Sequence, residues 1–394
     1  MPKKSRTQGR TAPISPAPVP GPDAFQDFQD PNHLHSQAAT LLLIGSHLRG
    51  DIPAMQARVA VTEAAQPAAR PLPSQDLSAL GFPAVRVSGD RFRTSELQKL
   101  TGVRSVAAAR PRAEEIRRAP VAIDACAQNF YKDSNSETAA ALLETSLRHP
   151  QQLVRVAAAS SYVDVAADPK PAIRILEDGL SSKNLLTRDV AAYALAHVDP
   201  KNSRLDKLLR TRKLPSRRKP SRTSTIIHGT WASGSPWWQP NGDFWTYLHD
   251  NVDPNLYGAA DRFGWTGGYS DAARADAGTT LHEWVQQHNL DGLDLFTHSH
   301  GGNVAMLANH AGTKVGKMVL LSCPVHWPKY TPEFTLTQKI ISVRVHLDLV
   351  ILADRGGQRF SDPRIQENVL PIWFDHFATH DQANWVKYNI PGML

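Results

Sequence analysis

The sequence predicts an α/β protein in which a mostly parallel β-sheet with helices on both faces follows an all-α region. From Thr225 onward, apolar runs of strand length alternate with stretches of helical periodicity, as in strands joined by crossover helices. Residues 119–212 instead keep a helical spacing of apolar side chains. All nine tryptophans follow Thr225, so the composition changes where the two regions meet.

Composition and pattern divide the chain into five segments. Residues 1–36 are predicted to be a disordered, basic and Pro-rich tail, because they carry little periodic pattern. Residues 37–118 give only weak signals and form a poorly defined small region. The remaining segments are the helical residues 119–212, a basic linker at 213–224, and the α/β region at 225–394.

Two alanine-rich segments echo each other within the all-α region. Residues 154–159 (VRVAAA) are similar to residues 187–192 (TRDVAA), about one helix pair later. This spacing resembles HEAT-type repeats, in which helix pairs stack on one another. We therefore predict HEAT-like repeats with a surface for a protein partner, and a plain helical bundle is the alternative.

A serine between a strand-like and a helix-like segment is the most informative motif. Residues 293–298 (LDLFTH) are an apolar run that ends at Ser299, and helical spacing follows from Val304. A strand, a sharp turn and a helix in this order hold a hydroxyl at the apex of the turn, beside the positive end of the helix. Both features suit a nucleophile.

Residues 297–301 (THSHG) resemble the G-x-S-x-G elbow of the α/β-hydrolase family, with Thr297 in place of the first glycine. Residues 223–231 (TSTIIHGTW) resemble the oxyanion-hole loop of the same family. The resemblance implies an α/β-hydrolase fold and Ser299 as the nucleophile. It also implies that the N–H groups of Thr230 and His300 stabilise an oxyanion, with Trp231 as the alternative donor.

The family's chain order of serine, acid and histidine implies the other two catalytic residues. Asp348 lies where a strand beginning near Ile340 is expected to end, and Asp354 is the alternative because the apolar residues between them could prolong that strand. His376 follows the last predicted strand at residues 369–374 most closely, and His380 is the alternative. The acid would orient the imidazole, which would take the serine proton.

Tryptophans after the His-Gly pair are predicted to line an apolar substrate pocket; they are Trp231, Trp237 and Trp238. The interval at residues 324–339 is too short for a large lid, so the helical region is a further candidate for a pocket wall. His298 and His300 form an H-x-H pair, but no ligand pattern accompanies it. No metal and no organic cofactor is therefore predicted.

Charge and cysteine content narrow the class of protein. Lys and Arg total 44 against 37 Asp and Glu, and the net charge of +7 is too mild for 394 residues to call for nucleic acid. The basic linker is a candidate for weak contact with anionic membranes. Two cysteines, no secretory signal pattern and no apolar run of membrane-spanning length favour a cytoplasmic location.

These patterns together predict a serine hydrolase that cleaves a small carboxylic ester or a lipid through a Ser-His-Asp triad and an acyl-enzyme. The aromatic loop favours a substrate with an apolar acyl or alcohol group. The alternative is a catalytically inactive scaffold with a hydrolase fold that binds partners through its helical repeats.

Overall fold

The computed structural model describes residues 21–49, 113–166, 168–209 and 223–394. Most of the small region predicted at 37–118, and the predicted basic linker up to Arg222, lie outside these residues. Within the described ranges, every helix is too short or too polar to cross a bilayer.

Within the described residues, the all-α region contains these helices: α1 (Pro31–Arg49), α2 (Ala113–Lys132), α3 (Ser136–Ser146), α4 (Gln152–Tyr162), α5 (Lys170–Gly179), α6 (Leu185–Val198) and the short α7 (Ser203–Asp206). Asparagine side chains cap three of them, since Asn135, Asn184 and Asn202 accept hydrogen bonds from the first turns of α3, α6 and α7. The two alanine-rich segments lie in α4 and α6, which pack against each other. The HEAT-like assignment stays a prediction.

Residues 21–36 differ from the predicted disordered tail. Pro22–Phe25 forms a 3₁₀ turn, and α1 already begins at Pro31, a residue type favoured in the first helical turn. Phe25 is fully buried, and the amide of Gln37 donates to the carbonyl of Asp27 at 2.9 Å. This segment is held by the packing of α1 against α4. The sequence did not predict it as ordered, because these residues lack a local apolar periodicity.

Five parallel strands form one sheet in chain order: β1 (Ser224–Ile227), β2 (Leu293–His298), β3 (Val315–Leu321), β4 (Thr337–Arg344) and β5 (Ile365–Val369). The predicted parallel sheet is therefore confirmed. Because every strand runs in the same direction, all five carboxyl ends meet at one edge, and the loops that follow them are neighbours.

The sheet faces are covered by the helices α8 (Asp243–Asn251), α9 (Asp271–Gln287), α10 (Gly301–His310) and α12 (Gln382–Lys387), whereas the short α11 (Leu349–Ala353) packs against the all-α region. Alternate strand residues enter two different cores. Leu295 packs in the core shared with α9 and α10, whereas its neighbour Phe296 packs in the core shared with α8 and α12.

Two predicted strands end differently in the structure. The strand near Ile340 stops at Arg344, and the apolar residues after Asp348 form helix α11 instead of prolonging the strand. The last strand is Ile365–Val369, not residues 369–374. Its polar sequence IQENV did not indicate a strand. Glu367 is partly buried there, where it pairs with Arg344 at 2.9 Å and accepts the N–H of Phe360 at 2.7 Å.

The all-α region and the sheet region share one hydrophobic core. Helix α11 packs against α1 and α6, and Leu349 and Val350 are buried in the same cluster as Val190 and Ala194 of α6. At the rim of this contact, Arg355 pairs with Asp164 at 2.8 Å. The contact places α6 over the carboxyl edge of the sheet.

Candidate active site

Ser299 occupies the turn between β2 and α10 in a left-handed backbone conformation, with φ of 53°. Such a conformation costs a non-glycine residue on the order of 1–3 kcal/mol and persists only where the surroundings fix it. Here the Ser299 N–H donates to the carbonyl of Leu321 at 2.9 Å, and the Ser299 carbonyl accepts from Gly302 at 3.0 Å. The end of β3 and the start of α10 thus hold the turn.

Glycines allow the loop after β1 and the turn at Ser299 to approach each other. A Cβ atom on Gly229 would lie 2.7 Å from the Cβ of Ser299, and one on Gly301 would lie 2.3 Å from the carbonyl oxygen of Ile227. Neither distance is tolerable, so both positions require glycine. Thr297 replaces the elbow's first glycine without such a conflict, because it lies within β2 and its hydroxyl donates to the Val319 carbonyl at 3.0 Å.

Asp348 and His376 form a buried pair at the same edge of the sheet. The carboxylate Oδ2 lies 2.7 Å from His376 Nδ1. The other carboxylate oxygen accepts the N–H groups of Val350 and Ile351 at 2.9 and 3.1 Å, so Asp348 also caps α11. Since Nδ1–H donates to the carboxylate, the lone pair of Nε2 is left for another proton.

The charges around His376 favour its protonated form. Burial is the largest single influence and would lower the pKa of His376, but the charge and the hydrogen bond of the Asp348 carboxylate oppose it. Asp189 and Asp375 add to this effect, and the pKa of His376 is raised above its ordinary value of 6.5. A raised pKa makes the imidazole a stronger base once it is neutral.

Tyr193 of α6 covers the serine. Its hydroxyl oxygen lies 3.2 Å from Ser299 Oγ, and Ser299 is only 3% exposed. Among the described residues, the side chain of Ser299 hydrogen-bonds to Tyr193 and not to His376, whose Nδ1 pairs with Asp348. Asp189, one turn earlier on α6, acts electrostatically on His376, so the same helix passes over both residues.

Sequence reasoning did not identify Tyr193. In the sequence it continues the apolar, alanine-rich pattern of α6 and reads as a core residue. Its aromatic ring does pack in the core, edge-on against Trp231 with ring centroids 4.7 Å apart. Only the packing of α6 on the sheet reveals that its hydroxyl reaches the serine.

The three candidate oxyanion donors differ in their hydrogen bonds. The N–H of Trp231 donates to the Gly267 carbonyl at 2.9 Å, so it is already engaged. The N–H groups of Thr230 and His300 donate to no other group among the described residues. These two groups flank the Gly229–Ser299 contact and are free to receive an oxyanion.

His380, the alternative base, lies in an aromatic environment. Its ring centroid is 4.2 Å from that of Trp237 and 4.4 Å from that of His298. Burial, with a contribution from the charge of His376, lowers the pKa of His380 to about 3. In the part of the chain that the structure describes, no carboxylate pairs with it, so nothing orients it as a base.

Asp354, the alternative acid, faces different histidines. Its Oδ2 lies 3.2 Å from His300 Nε2 and 2.7 Å from His326 Nε2. Burial opposes the ionised form of Asp354, but the charges of these two histidines hold its pKa well below its usual value. The two rings of the H-x-H pair lie in different places. His300 faces Asp354, whereas His298 Nε2 donates to the His376 carbonyl at 3.2 Å.

The three predicted pocket tryptophans surround the loop in different ways. Trp231 stacks over Tyr269, with ring centroids 5.8 Å apart and planes 4° from parallel. Trp237 packs edge-on against His298, the residue before the serine, at 5.5 Å. Trp238 supports the loop from behind, because its indole N–H donates to the Ala232 carbonyl at 2.8 Å.

Comparison with known proteins found no family model, no curated protein and no solved structure that matches this chain. Any functional conclusion therefore depends on the geometry of the site.

Proposed function

We propose that this protein is a serine hydrolase of the α/β-hydrolase type that cleaves a carboxylic ester. Ser299 is the nucleophile, His376 the general base and Asp348 the residue that orients it. One observation carries the proposal: a buried 2.7 Å Asp348–His376 pair stands at the sheet edge that also carries a serine in a strained turn. That combination of acid, imidazole and strained hydroxyl is what acyl transfer to serine needs.

The reaction begins when Ser299 Oγ attacks the ester carbonyl carbon and its proton passes to His376 Nε2. The carbonyl oxygen becomes an oxyanion, which the N–H groups of Thr230 and His300 stabilise. The carbon–oxygen bond to the alcohol then breaks, and the imidazolium returns the proton to the departing alkoxide. An acyl-enzyme remains on Ser299.

Water completes the cycle by the same groups. His376 takes a proton from water, the hydroxide attacks the acyl carbon, and the proton returns to Ser299 Oγ as the acid leaves. Asp348 keeps Nδ1 protonated throughout, so that Nε2 alone exchanges protons. The aromatic rings of Trp231 and Trp237 favour an apolar group next to the reacting carbon, which points to lipid-like or other apolar esters.

Access to the serine requires Tyr193 to leave it. With Ser299 only 3% exposed and the tyrosine hydroxyl 3.2 Å away, a substrate carbonyl cannot reach Oγ until the side chain or helix α6 moves. The same observation supports a second candidate function, an inactive scaffold that binds partners through the helical region. The proposed protein partner, the weak contact with anionic membranes and the cytoplasmic location likewise stay predictions.

Labelling with a fluorophosphonate probe tests the proposal. We expect the wild-type protein to be labelled and Ser299→Ala not to be. Ser322→Ala is the matched control, because Ser322 directly follows the neighbouring strand β3, is buried and also has positive φ, at 44°. Hydrolysis of p-nitrophenyl esters of increasing acyl length would then define the apolar group.

The Tyr193→Ala variant separates the two functions. If folded wild type resists the probe but Tyr193→Ala is labelled at Ser299, the protein is a hydrolase with a closed site. If neither protein reacts, the hydrolase proposal is wrong and the scaffold function stands.

A further inference from the structure

We propose that His300, His326 and Asp354 bind a divalent transition-metal ion, for which Zn²⁺ is the best fit. The three residues come from the elbow, the loop after β3 and the residue after α11. Their ligand atoms all lie within 4.8 Å of one another. Two imidazoles and one carboxylate, with coordination positions left open, are a donor set that zinc and related ions use in proteins.

The distances fit an ion after small side-chain movements. Ligand atoms around a tetrahedral zinc ion stand about 3.3 Å apart, given bonds of about 2.0–2.1 Å. Here Asp354 Oδ2 is 3.2 Å from His300 Nε2 and 2.7 Å from His326 Nε2. The two imidazole rings are nearly parallel, with planes 7° apart and centroids 5.6 Å apart, so both Nε2 atoms approach the same carboxylate oxygen.

A buried nitrogen without a hydrogen bond gives independent support. His300 is completely buried, and its Nε2 lies 3.2 Å from the Asp354 carboxylate without the alignment of a regular hydrogen bond. Buried polar atoms nearly always have a partner. A metal ion would take the lone pair of this nitrogen and satisfy it.

The surroundings of the cluster orient its ligands. The Asn303 side-chain amide lies 2.8 Å from His300 Nδ1 and fixes the ring from behind. Metal-bound histidines usually have such a partner, and the amide can present its oxygen to an Nδ1–H by exchanging its two ends. The side chain of His326 is 24% exposed, which gives an ion a path from solvent.

The positive charge of Arg274 near the cluster limits its affinity for a cation. Arg274 acts electrostatically on His300, but its guanidinium is already paired with Asp271 at 2.7 Å and hydrogen-bonded to the hydroxyl of Tyr330 at 3.0 Å. The carboxylate of Asp354 offsets part of the charge of a divalent ion. We therefore expect specific binding of one ion and not a general attraction for cations.

The test uses the full chain with Ser299→Ala, so that its result is independent of hydrolysis. After treatment with EDTA and dialysis, the protein is titrated with Co²⁺ while the visible absorption of tetrahedral cobalt is recorded, and Zn²⁺ is used to displace it. We expect one equivalent of Co²⁺ to bind and Zn²⁺ to compete. Thermal unfolding with and without Zn²⁺ should show a higher melting temperature with the ion.

Variants in the same background identify the ligands. His326→Ala should weaken Co²⁺ binding by roughly 100-fold or more, since loss of even an outer partner costs 10–100-fold. Asp354→Asn should act in the same direction. His310→Ala is the control, because His310 is exposed and its ring is hydrogen-bonded to Thr331, away from the cluster's three ligands. Absent tetrahedral absorption with the parent protein, or unchanged affinity in His326→Ala, would show an ionic cluster only and overturn the proposal.

Discussion

Two histidine–aspartate clusters stand at the two ends of helix α11, and they differ in which ring nitrogen faces the acid. Asp348, before the helix, meets Nδ1 of the single histidine His376. Asp354, after the helix, meets Nε2 of both His300 and His326. The residue types are the same, and only five helical residues separate the two carboxylates.

This difference decides what each cluster can do. A carboxylate on Nδ1 leaves Nε2 free at the far end of the ring, where it can accept a proton from a serine. A carboxylate that shares two Nε2 atoms directs both toward one point and leaves neither to act as a base. The first arrangement suits proton transfer and the second suits an ion.

The largest expected effect is a difference in kcat between variants of His376 and His326. His376→Ala should lower kcat for a soluble ester by about 10⁶-fold, because loss of the base removes the path for the serine proton. His326→Ala, measured in EDTA, should leave kcat close to the wild-type value. Steady-state assays with a short-chain p-nitrophenyl ester measure both. Equal losses in the two variants would contradict the division of labour between the clusters.

The aspartates should differ in the same way but less strongly. Asp348→Asn should lower kcat by about 10⁴-fold, since an amide no longer holds the correct imidazole tautomer. Asparagine still caps helices well, so the substitution should preserve the capping contribution to the free energy of unfolding at the start of α11. Asp354→Asn serves as the matched control at the other end. A larger loss of kcat in Asp354→Asn would mean that Asp354 is the catalytic acid.

Several features were predictable because local patterns encode them. Parallel strands appear as apolar runs, and the serine, Asp348 and His376 each lie close after such a run or in the turn that ends it. Asp348 was placed for a partly wrong reason, because it caps helix α11 instead of ending a strand. In the sequence, an aspartate that caps a helix cannot be told from one that interrupts a strand when apolar residues stand on both sides of it.

Other features depend on contacts between distant segments. Tyr193 lies 106 residues before the serine that it touches. The role proposed for His326 depends on contact between the loop after β3 and the end of α11. The H-x-H pair did not reveal this cluster, because His298 contacts the His376 carbonyl while His300 lies near Asp354. Strand β5 was misplaced because it carries polar residues, one of which, Glu367, pairs with Arg344 of the neighbouring strand.

The pH dependence of the rate should reflect the titration of His376 in the first cluster and not of His300 in the second. His376 must be neutral to act as a base. Burial lowers its pKa, but Asp348, with Asp189 and Asp375, raises it above 6.5. The value of kcat/KM should therefore fall as pH drops through this raised pKa, by about tenfold per pH unit below it. The pKa of His300 is lowered to about 4, chiefly by burial, so His300 should not titrate in this range.

A pH–rate profile of wild type and Asp354→Asn measures this dependence. The two midpoints should agree, because Asp354 is not among the main groups that act on His376. A profile that stays flat from pH 5 to pH 8 would contradict His376 as the base.

The smallest effect concerns Tyr193, which covers the serine. Tyr193→Phe keeps the ring packed against Trp231 but removes the hydroxyl that lies 3.2 Å from Ser299 Oγ. A hydrogen bond contributes about 0.5–1.5 kcal/mol, so its loss should raise the rate of fluorophosphonate labelling by about two- to tenfold. Tyr162→Phe in α4 is the control. A slower reaction in Tyr193→Phe would instead make the hydroxyl a positioning group for the serine, and the helical region would then be part of the catalytic site and not only its cover.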